Sequence, residues 1–460
     1  MRLFFLLSLI IISSLASSLV QAEEEEIYVQ LSSEIERIPI FVSTTESADS
    51  TLPTGYPESI RQVFLFDMNH NGMTRVLTAK EAGSFPSLAS QNQFGADLDF
   101  AKLKTDGILY LTKLKIKGNE LVAKVISVNA QTANTIDRIF LTGELNKDRQ
   151  KVHQLADSIH KLLFAKPGIA TSRILYTVKK KIDRPKQEPK WISEVFVSDY
   201  DGHNARQLTN DGSLTANPQF IPNSSQFLYV SYKIGQPKIY IGSLHEQTNR
   251  RASPLRANQV TPSISPDGSM LAFSSDVTGR ADIFIQPLIR TGDSEPKPVQ
   301  IFTAKATANA SPVFSPDGKK IAFVSNKDGS PKIYIMKVPA AGTKLKDIKL
   351  ELISKRCREN SAPAWSPDGK KIAFCARNST PERQIWVYDL ETKTERQLTD
   401  GKADKENPAW AHNSLNLLFN AKDSQGTDIY LINLNQPEAV KITSGPGAKF
   451  FPAWEQKKAS

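Results

Sequence analysis

The sequence predicts a small N-terminal α/β domain followed by an all-β six-bladed β-propeller closed by the C-terminal strand. Three observations predict the propeller. A proline-anchored phrase recurs at a nearly constant step. Each repeat holds four strand-like segments. The two ends of the repeat region complement one another.

The phrase is plainest in "TPSISPDGSMLAF", "SPVFSPDGKKIAF" and "APAWSPDGKKIAF". Its first proline falls at Pro218, Pro262, Pro312, Pro363, Pro408 and Pro452, in steps of 44, 50, 51, 45 and 44 residues. Two residues after each comes a large apolar residue: Phe220, Ile264, Phe314, Trp365, Trp410 or Trp454. Eleven residues after the first five come Tyr229, Phe273, Phe323, Phe374 and Phe419. A further aromatic follows at Tyr240, Phe284, Tyr334, Trp386 and Tyr430. The segments around these positions are short, rich in β-branched and aromatic residues, and bounded by turn residues. Four of them per repeat make one propeller blade.

Ser-Pro-Asp-Gly then reads as the turn between the first two strands. Proline presets φ at the first corner, Asp suits the second, and Gly takes the left-handed position that closes a tight hairpin. A metal-binding role for these aspartates is the weaker reading, because "IPNSSQF" and "AHNSLNL" replace the motif in two repeats. A turn tolerates that exchange; a metal site does not.

Five repeats are complete. The last, "FFPAWEQ", supplies only a first strand, whereas "SRILYTV", "SEVFVSDYDG" and "RQLT" supply only strands two to four. Joined, they form the sixth blade and remove the open sheet edges. Between its second and third strands this blade carries extra basic residues, "KKKIDRPKQEP" (Lys179 to Pro189). They read as a solvated loop on the face that also carries the blade-to-blade linkers, with contact to a partner as the alternative.

Residues 23–170 have a different texture. "ERIPIFVSTT" and "GILYLTKLKIKGNELVAKVISVN" read as strands, and "YPESIRQVFLFDMNHNG" as a helix. In "NKDRQKVHQLADSIHKLLF", Val152, Leu155, Ile159, Leu162 and Leu163 form one helical stripe. His153 and His160 read as packing residues of that helix, since no acidic company in the sequence suggests metal ligands.

The N-terminus has the layout of a secretory signal peptide. Arg2 precedes an apolar run, and Val20 and Ala22 stand at the small-residue cleavage positions, so residues 1–22 are expected to be removed. Export permits disulfides, but Cys357 and Cys375 are the only cysteines. Their spacing leaves pairing and free burial equally open. The formal net charge is +10. Residues 23–170 hold 16 Lys and Arg against 19 Asp and Glu, and residues 171–460 hold 41 against 29. In an exported chain this diffuse basic surface does not suggest nucleic acid. No Gly-x-Ser-x-Gly elbow, His-Glu-x-x-His helix or glycine-rich phosphate loop is present. No enzyme activity, cofactor or metal is therefore expected.

Three stretches add a resemblance. "RQKVHQLADSI", with His153 and Asp157, "PGIATSRILYTV", with Gly168, Arg173 and Tyr176, and "VSDYDGHNARQLT", with Val197 to Gly202, resemble the TolB family of the Tol–Pal system. The likeness covers essentially all of residues 23–460. It implies a periplasmic, monomeric binding hub for outer-membrane integrity and for invagination at cell division. It also implies that one propeller face, over the central channel, binds the peptidoglycan-associated lipoprotein Pal. The extreme N-terminus would bind TolA, and colicins would exploit the propeller. Carried over, Asn217, Asn258, Asn309, Asn360, Asn407 and Lys449 are the polar residues nearest that face. The TolA contact would be Glu23, Glu24, Glu25, Glu26, Ile27, Tyr28 and Val29, within Glu23–Leu31. Neither insertion into a membrane nor nucleic-acid binding is implied. The glutamate run and the basic insertion depart from the family pattern. The competing expectation is an exported propeller that binds or cleaves carbohydrate, which requires a pair of carboxylates facing the channel.

Overall fold

The computed structural model describes residues 36–48, 51–184, 187–288, 297–304, 307–340, 342–424, 426–436 and 438–456. The α/β domain comprises β1 (Ile38–Ala48), α1 (Tyr56–His70), β2 (Thr74–Val76), α2 (Ala79–Gly83), α3 (Phe100–Thr105), β3 (Tyr110–Lys117), β4 (Glu120–Ser127), β5 (Thr132–Phe140) and α4 (Leu145–Phe164). Its sheet runs β2-β1-β3-β4-β5, with β1 parallel to both β2 and β3. Side chains alternate across it. Ile40, Val42, Leu114, Ile116, Leu121 and Val125 face the apolar stripes of α1 and α4. Phe41, Leu111 and Ile126 face the other way, against Leu88 and Leu103. On α4, Val152, Leu155 and Ile159 are buried as the period predicts. Leu162 is exposed, because the helix ends at Phe164, with Ala165 in the left-handed region.

The propeller has six four-stranded antiparallel blades. Five follow in chain order at 215–251, 259–302, 309–352, 359–397 and 405–441, here blades 1 to 5. The closing blade joins Ala448–Trp454 to β6 (Arg173–Arg184), β7 (Gln187–Asp199) and β8 (Arg206–Gln207). Its innermost strand therefore comes from the far end of the chain, and Arg173 clamps it by donating from Nη2 to Glu455 Oε1 at 2.6 Å and from Nε to Oε2 at 3.0 Å.

The repeated aromatics turn out to be one device. Each residue at +11 lies directly across the strand pair from the next aromatic: Tyr229 from Tyr240, Phe273 from Phe284, Phe323 from Tyr334, Phe374 from Trp386, and Phe419 from Tyr430. Tyr176 and Phe196 repeat the pair in the closing blade. Such facing pairs are the unit of sheet stabilisation. The +11 side chains are fully buried between blades.

The Ser-Pro-Asp-Gly turns form as expected. Gly268, Gly318 and Gly369 have φ of 75°, 69° and 75°. Their N–H groups donate to Ser265, Ser315 and Ser366 carbonyls at 2.8, 2.8 and 2.9 Å. Each aspartate accepts from the backbone N–H two residues on, at 3.0 Å. These carboxylates close turns.

The basic insertion departs from the sequence reading. It is not a loose loop: β6 and β7 pair in register as far as Ile182 and Lys190 and, after one register shift, at Arg184 and Gln187, so the two strands rise as a longer hairpin. Lysine- and proline-rich composition hid an alternating strand, in which Lys181 faces Trp191 and Ile182 faces Lys190.

Candidate binding face

Strand direction fixes two unlike propeller faces. Blade-to-blade linkers and strand 2–3 loops share one, the linker face. Strand 1–2 and 3–4 turns share the other, the turn face. A central cavity of about 1320 Å³ is lined by the first strands, by the strand 1–2 turns and, from the α/β domain, by Asn71, Met73, His160, Lys166 and Pro167.

Each first strand carries the same irregularity. The residue just before the repeat proline is left-handed: Asn217, Thr261, Ser311, Ala362, Asn407 and Phe451, with φ from 47° to 56°. Strand pairing shifts at this point in all six blades. The bulge turns the residues on either side of each proline into the lumen. Non-glycine residues in this region are strained, and such strain persists only where the surroundings impose it. Neighbouring blades supply some of that constraint: the Ser311 N–H donates to Thr261 Oγ1 at 3.2 Å, and the Phe451 N–H to Asn420 Oδ1 at 3.4 Å.

The six polar residues expected at this face separate by phase. Asn217 and Asn407, one residue before their prolines, line the lumen. Asn309, Asn360 and Lys449 stand three residues before theirs and are buried. Their side chains bond to groups of the linkers and neighbouring strands. Asn360 Nδ2 donates to the Pro331 and Cys357 carbonyls at 3.0 and 3.2 Å, and Asn309 Nδ2 to Asp282 Oδ1 at 3.2 Å. Lys449 Nζ donates to the Gly445 carbonyl at 2.6 Å and pairs with Asp428 at 2.9 Å. Asn258, four residues before its proline, donates from N and Nδ2 to the Asp276 carboxylate. The rest of the lining is largely proline, aromatic and small polar residues, with Lys166 and Lys179 as its lysines. Among the described residues its carboxylates are Asp368 and Glu406. One sits in a strand 1–2 turn and the other near the start of a first strand, so they lie at opposite ends. Glu23 to Val29 lie outside the described residues.

The α/β domain docks on the turn face, where one repeat abandons Ser-Pro-Asp-Gly. In blade 5 the replacement, "AHNS", contacts that domain: His412 Nε2 meets the Gly168 carbonyl at 3.0 Å, and Asn413 Nδ2 donates to the Asn71 carbonyl at 3.2 Å. Asn416 Nδ2 donates to the His70 carbonyl at 2.9 Å. Gly72, with φ of 91°, lies so close that a Cβ would come within 2.9 Å of Asn416 Oδ1.

The stretches that carried the family resemblance build the rest of this joint. Asp157 accepts from the Ala170 and Thr171 N–H groups at 2.8 and 3.0 Å. His153 Nδ1 lies 2.8 Å from Asp67 Oδ2, and Tyr200 donates to Asp67 Oδ1 at 2.7 Å. Arg149 pairs with Asp201. Burial alone would lower the His153 pKa, but the carboxylates of Asp67, Asp201 and Asp199 outweigh it and raise it. Burial would raise Asp201; His203, His153 and Arg149 together hold it well below the usual carboxylate range. His153, Asp199 and Asp201 come close enough to suggest a cation site. However, Gln150 and Asn204 already donate to Asp199, and the Arg149 guanidinium occupies Asp201. The cluster is an ionic latch between domains. Asp67 was invisible to sequence reasoning because it sits 86 residues from His153 on another helix. The cysteines are free, and their thiols are pushed up to about 12 by burial.

A six-bladed propeller with a small α/β domain latched to its turn face defines a two-domain propeller scaffold. Comparison with known proteins narrows the class. The family model described as TolB beta propeller domain matches residues 160–458. "Protein TolB homolog" of Protochlamydia amoebophila is 45% identical over 391 residues, covering 84% of this chain and 82% of the relative. "Protein TolB homolog" of Chlamydia pneumoniae is 34% identical over 442 residues, covering 95% and 94%. The crystal structure of TolB from Acinetobacter baumannii superposes with a TM-score of 0.71 at 21% identity, covering 92% of this chain and 97% of that one, and supports the fold. The chain belongs to the TolB family. Membership gives it a TolB role in the Tol–Pal system, whose TolB proteins are periplasmic. No helix among the described residues is long and apolar enough to cross a membrane.

Proposed function

We propose that the chain is a non-enzymatic periplasmic hub, exported by cleavage after Ala22, that joins two partners of the Tol–Pal system. The linker face of the propeller takes the peptidoglycan-associated lipoprotein, and the N-terminal segment Glu23–Leu31 takes TolA. Colicins would use the same propeller. One observation carries this reading: the described contacts of the α/β domain fall on the turn face, which leaves the linker face clear of that domain. The carbohydrate alternative finds no support in the lumen, because Asp368 and Glu406 are too far separated along the channel to work as a pair.

Binding of purified lipoprotein and TolA to the chain from Glu23 onward, with and without residues 23–31, tests the reading. Deletion is expected to abolish TolA binding and to leave lipoprotein binding within twofold. Failure of the undeleted chain to bind either protein overturns it.

A further inference from the structure

The linker face is not uniform around the ring. Its exposed large apolar side chains, among the described residues, are Trp191, Leu214, Tyr232, Ile234 and Val277. They fall on three consecutive blades: the closing blade, blade 1 and blade 2. Trp191 is 51% exposed, Ile234 56% and Val277 44%. Backbone bonds make the first two blades continuous. The Ser193 N–H donates to the Ser213 carbonyl and the Tyr232 N–H to the Leu214 carbonyl, both at 3.0 Å. The Gln259 N–H donates to the Pro237 carbonyl at 2.9 Å and carries the surface on to blade 2. Large exposed apolar side chains gathered on one sector of a surface mark an interaction site.

The projecting hairpin borders this arc with positive charge. Lys181 is exposed on the same side of the hairpin as Trp191, which it faces across the strands, and Lys180, also exposed, points to the other side of the hairpin. Lys179 Nζ lies 5.2 Å from the centre of the Trp191 ring, which fixes the indole beside the lysines. The arrangement has the anatomy of a protein interface: an apolar centre with an aromatic anchor, and a charged rim.

We propose that the sector of the linker face formed by the closing blade, blade 1 and blade 2 is a docking surface for an acidic protein. The partner's apolar centre seats on the arc from Trp191 to Val277. Its carboxylates meet Lys181 beside the indole, with Lys180 adding to the positive charge of the same hairpin. A polyanion such as a phosphorylated glycan would use the lysines but gain nothing from Ile234 and Val277. The inference rests on the reading that the linker face binds the lipoprotein, and it names the part of the face and the charge of the partner.

The test is titration of the purified lipoprotein, without its lipid, against the chain from Glu23 onward. Trp191→Ala, the double change Lys180→Glu with Lys181→Glu, and Lys402→Glu are compared with the unaltered chain. Lys402 is exposed on the linker between blades 4 and 5, across the same face. Thermal melting checks that each variant folds. Trp191→Ala is expected to weaken binding at least tenfold. The double change should weaken it severalfold, chiefly through slower association, and flatten its salt dependence. Lys402→Glu should bind like the unaltered chain. Equal binding by all variants overturns the sector and leaves the proposed function standing. No binding by the unaltered chain overturns both. Vesicles rich in phosphatidylglycerol form a separate arm. Capture of those vesicles that depends on Lys180 and Lys181, with lipoprotein binding unchanged, assigns the hairpin to a lipid surface and overturns the protein partner.

Discussion

Three residues before each repeat proline stands a polar side chain that serves the scaffold. Gln259, Asn309, Asn360, Lys405 and Lys449 bond to linker groups, and Thr215 bonds to Ser193 of the closing blade. One residue before the proline stands the left-handed bulge. Nearness to the proline therefore does not decide which polar residue faces a partner; phase does. Had the first strands been regular, period-two alternation would have put positions one and three before the proline on the same side. The bulge breaks that alternation, and nothing in the composition announces it, since its six residues range from Ala362 to Phe451. The strain makes a prediction. Ala362→Gly is expected to stabilise the protein by roughly 1 kcal/mol in urea denaturation, because Gly adopts positive φ without steric cost. A comparable loss of stability would show that the bulge stores no strain.

At the scale of elements, the joint between α1, α4 and the closing blade rests on buried ionisable groups that respond to pH in opposite directions. Burial depresses the His70 pKa from 6.5 to about 4. The unfolded chain thus takes up this proton first, and stability falls as pH drops below 6.5. Linkage makes the fall about 2 kcal/mol between pH 7.5 and 5. His153 has the opposite sign. Its folded pKa is raised, so its contribution is complete below 6.5 and is lost as pH rises through the folded value. His70→Phe is expected to flatten the acid limb of stability measured by urea denaturation, and His153→Gln the alkaline limb. An acid limb unchanged in His70→Phe would contradict the assignment. Elements differed in how far the sequence revealed them. The turns and the blade aromatics were legible because each is a local rule repeated many times. The hairpin from Lys179 to Lys190 was not, because three consecutive lysines and two prolines mask the strand pattern. The latch was not, because Asp67, His153 and Tyr200 meet only in the folded chain.

Across the whole molecule, the departures from the repeat matter more than the repeat. Ser-Pro-Asp-Gly sets the blade count. The turn that lacks it at His412–Ser414 marks where the α/β domain is attached. The blade with the extra basic hairpin points to the opposite face. Closure by Ala448–Trp454 makes the ring one cooperative body, so a partner on the linker face and the latch on the turn face are joined through the same sheets. In the proposed arrangement the lipoprotein docks on the linker face, away from the α/β domain. Hydrogen–deuterium exchange of the chain from Glu23 onward, with and without saturating lipoprotein, tests it most directly. The account predicts new protection in the tips of β6 and β7, at residues 212–214, 231–238 and 276–282, with the amides of α1 and β1 to β5 unchanged. Protection confined to the strand 1–2 turns or to the α/β domain, with those loops unaffected, would contradict it.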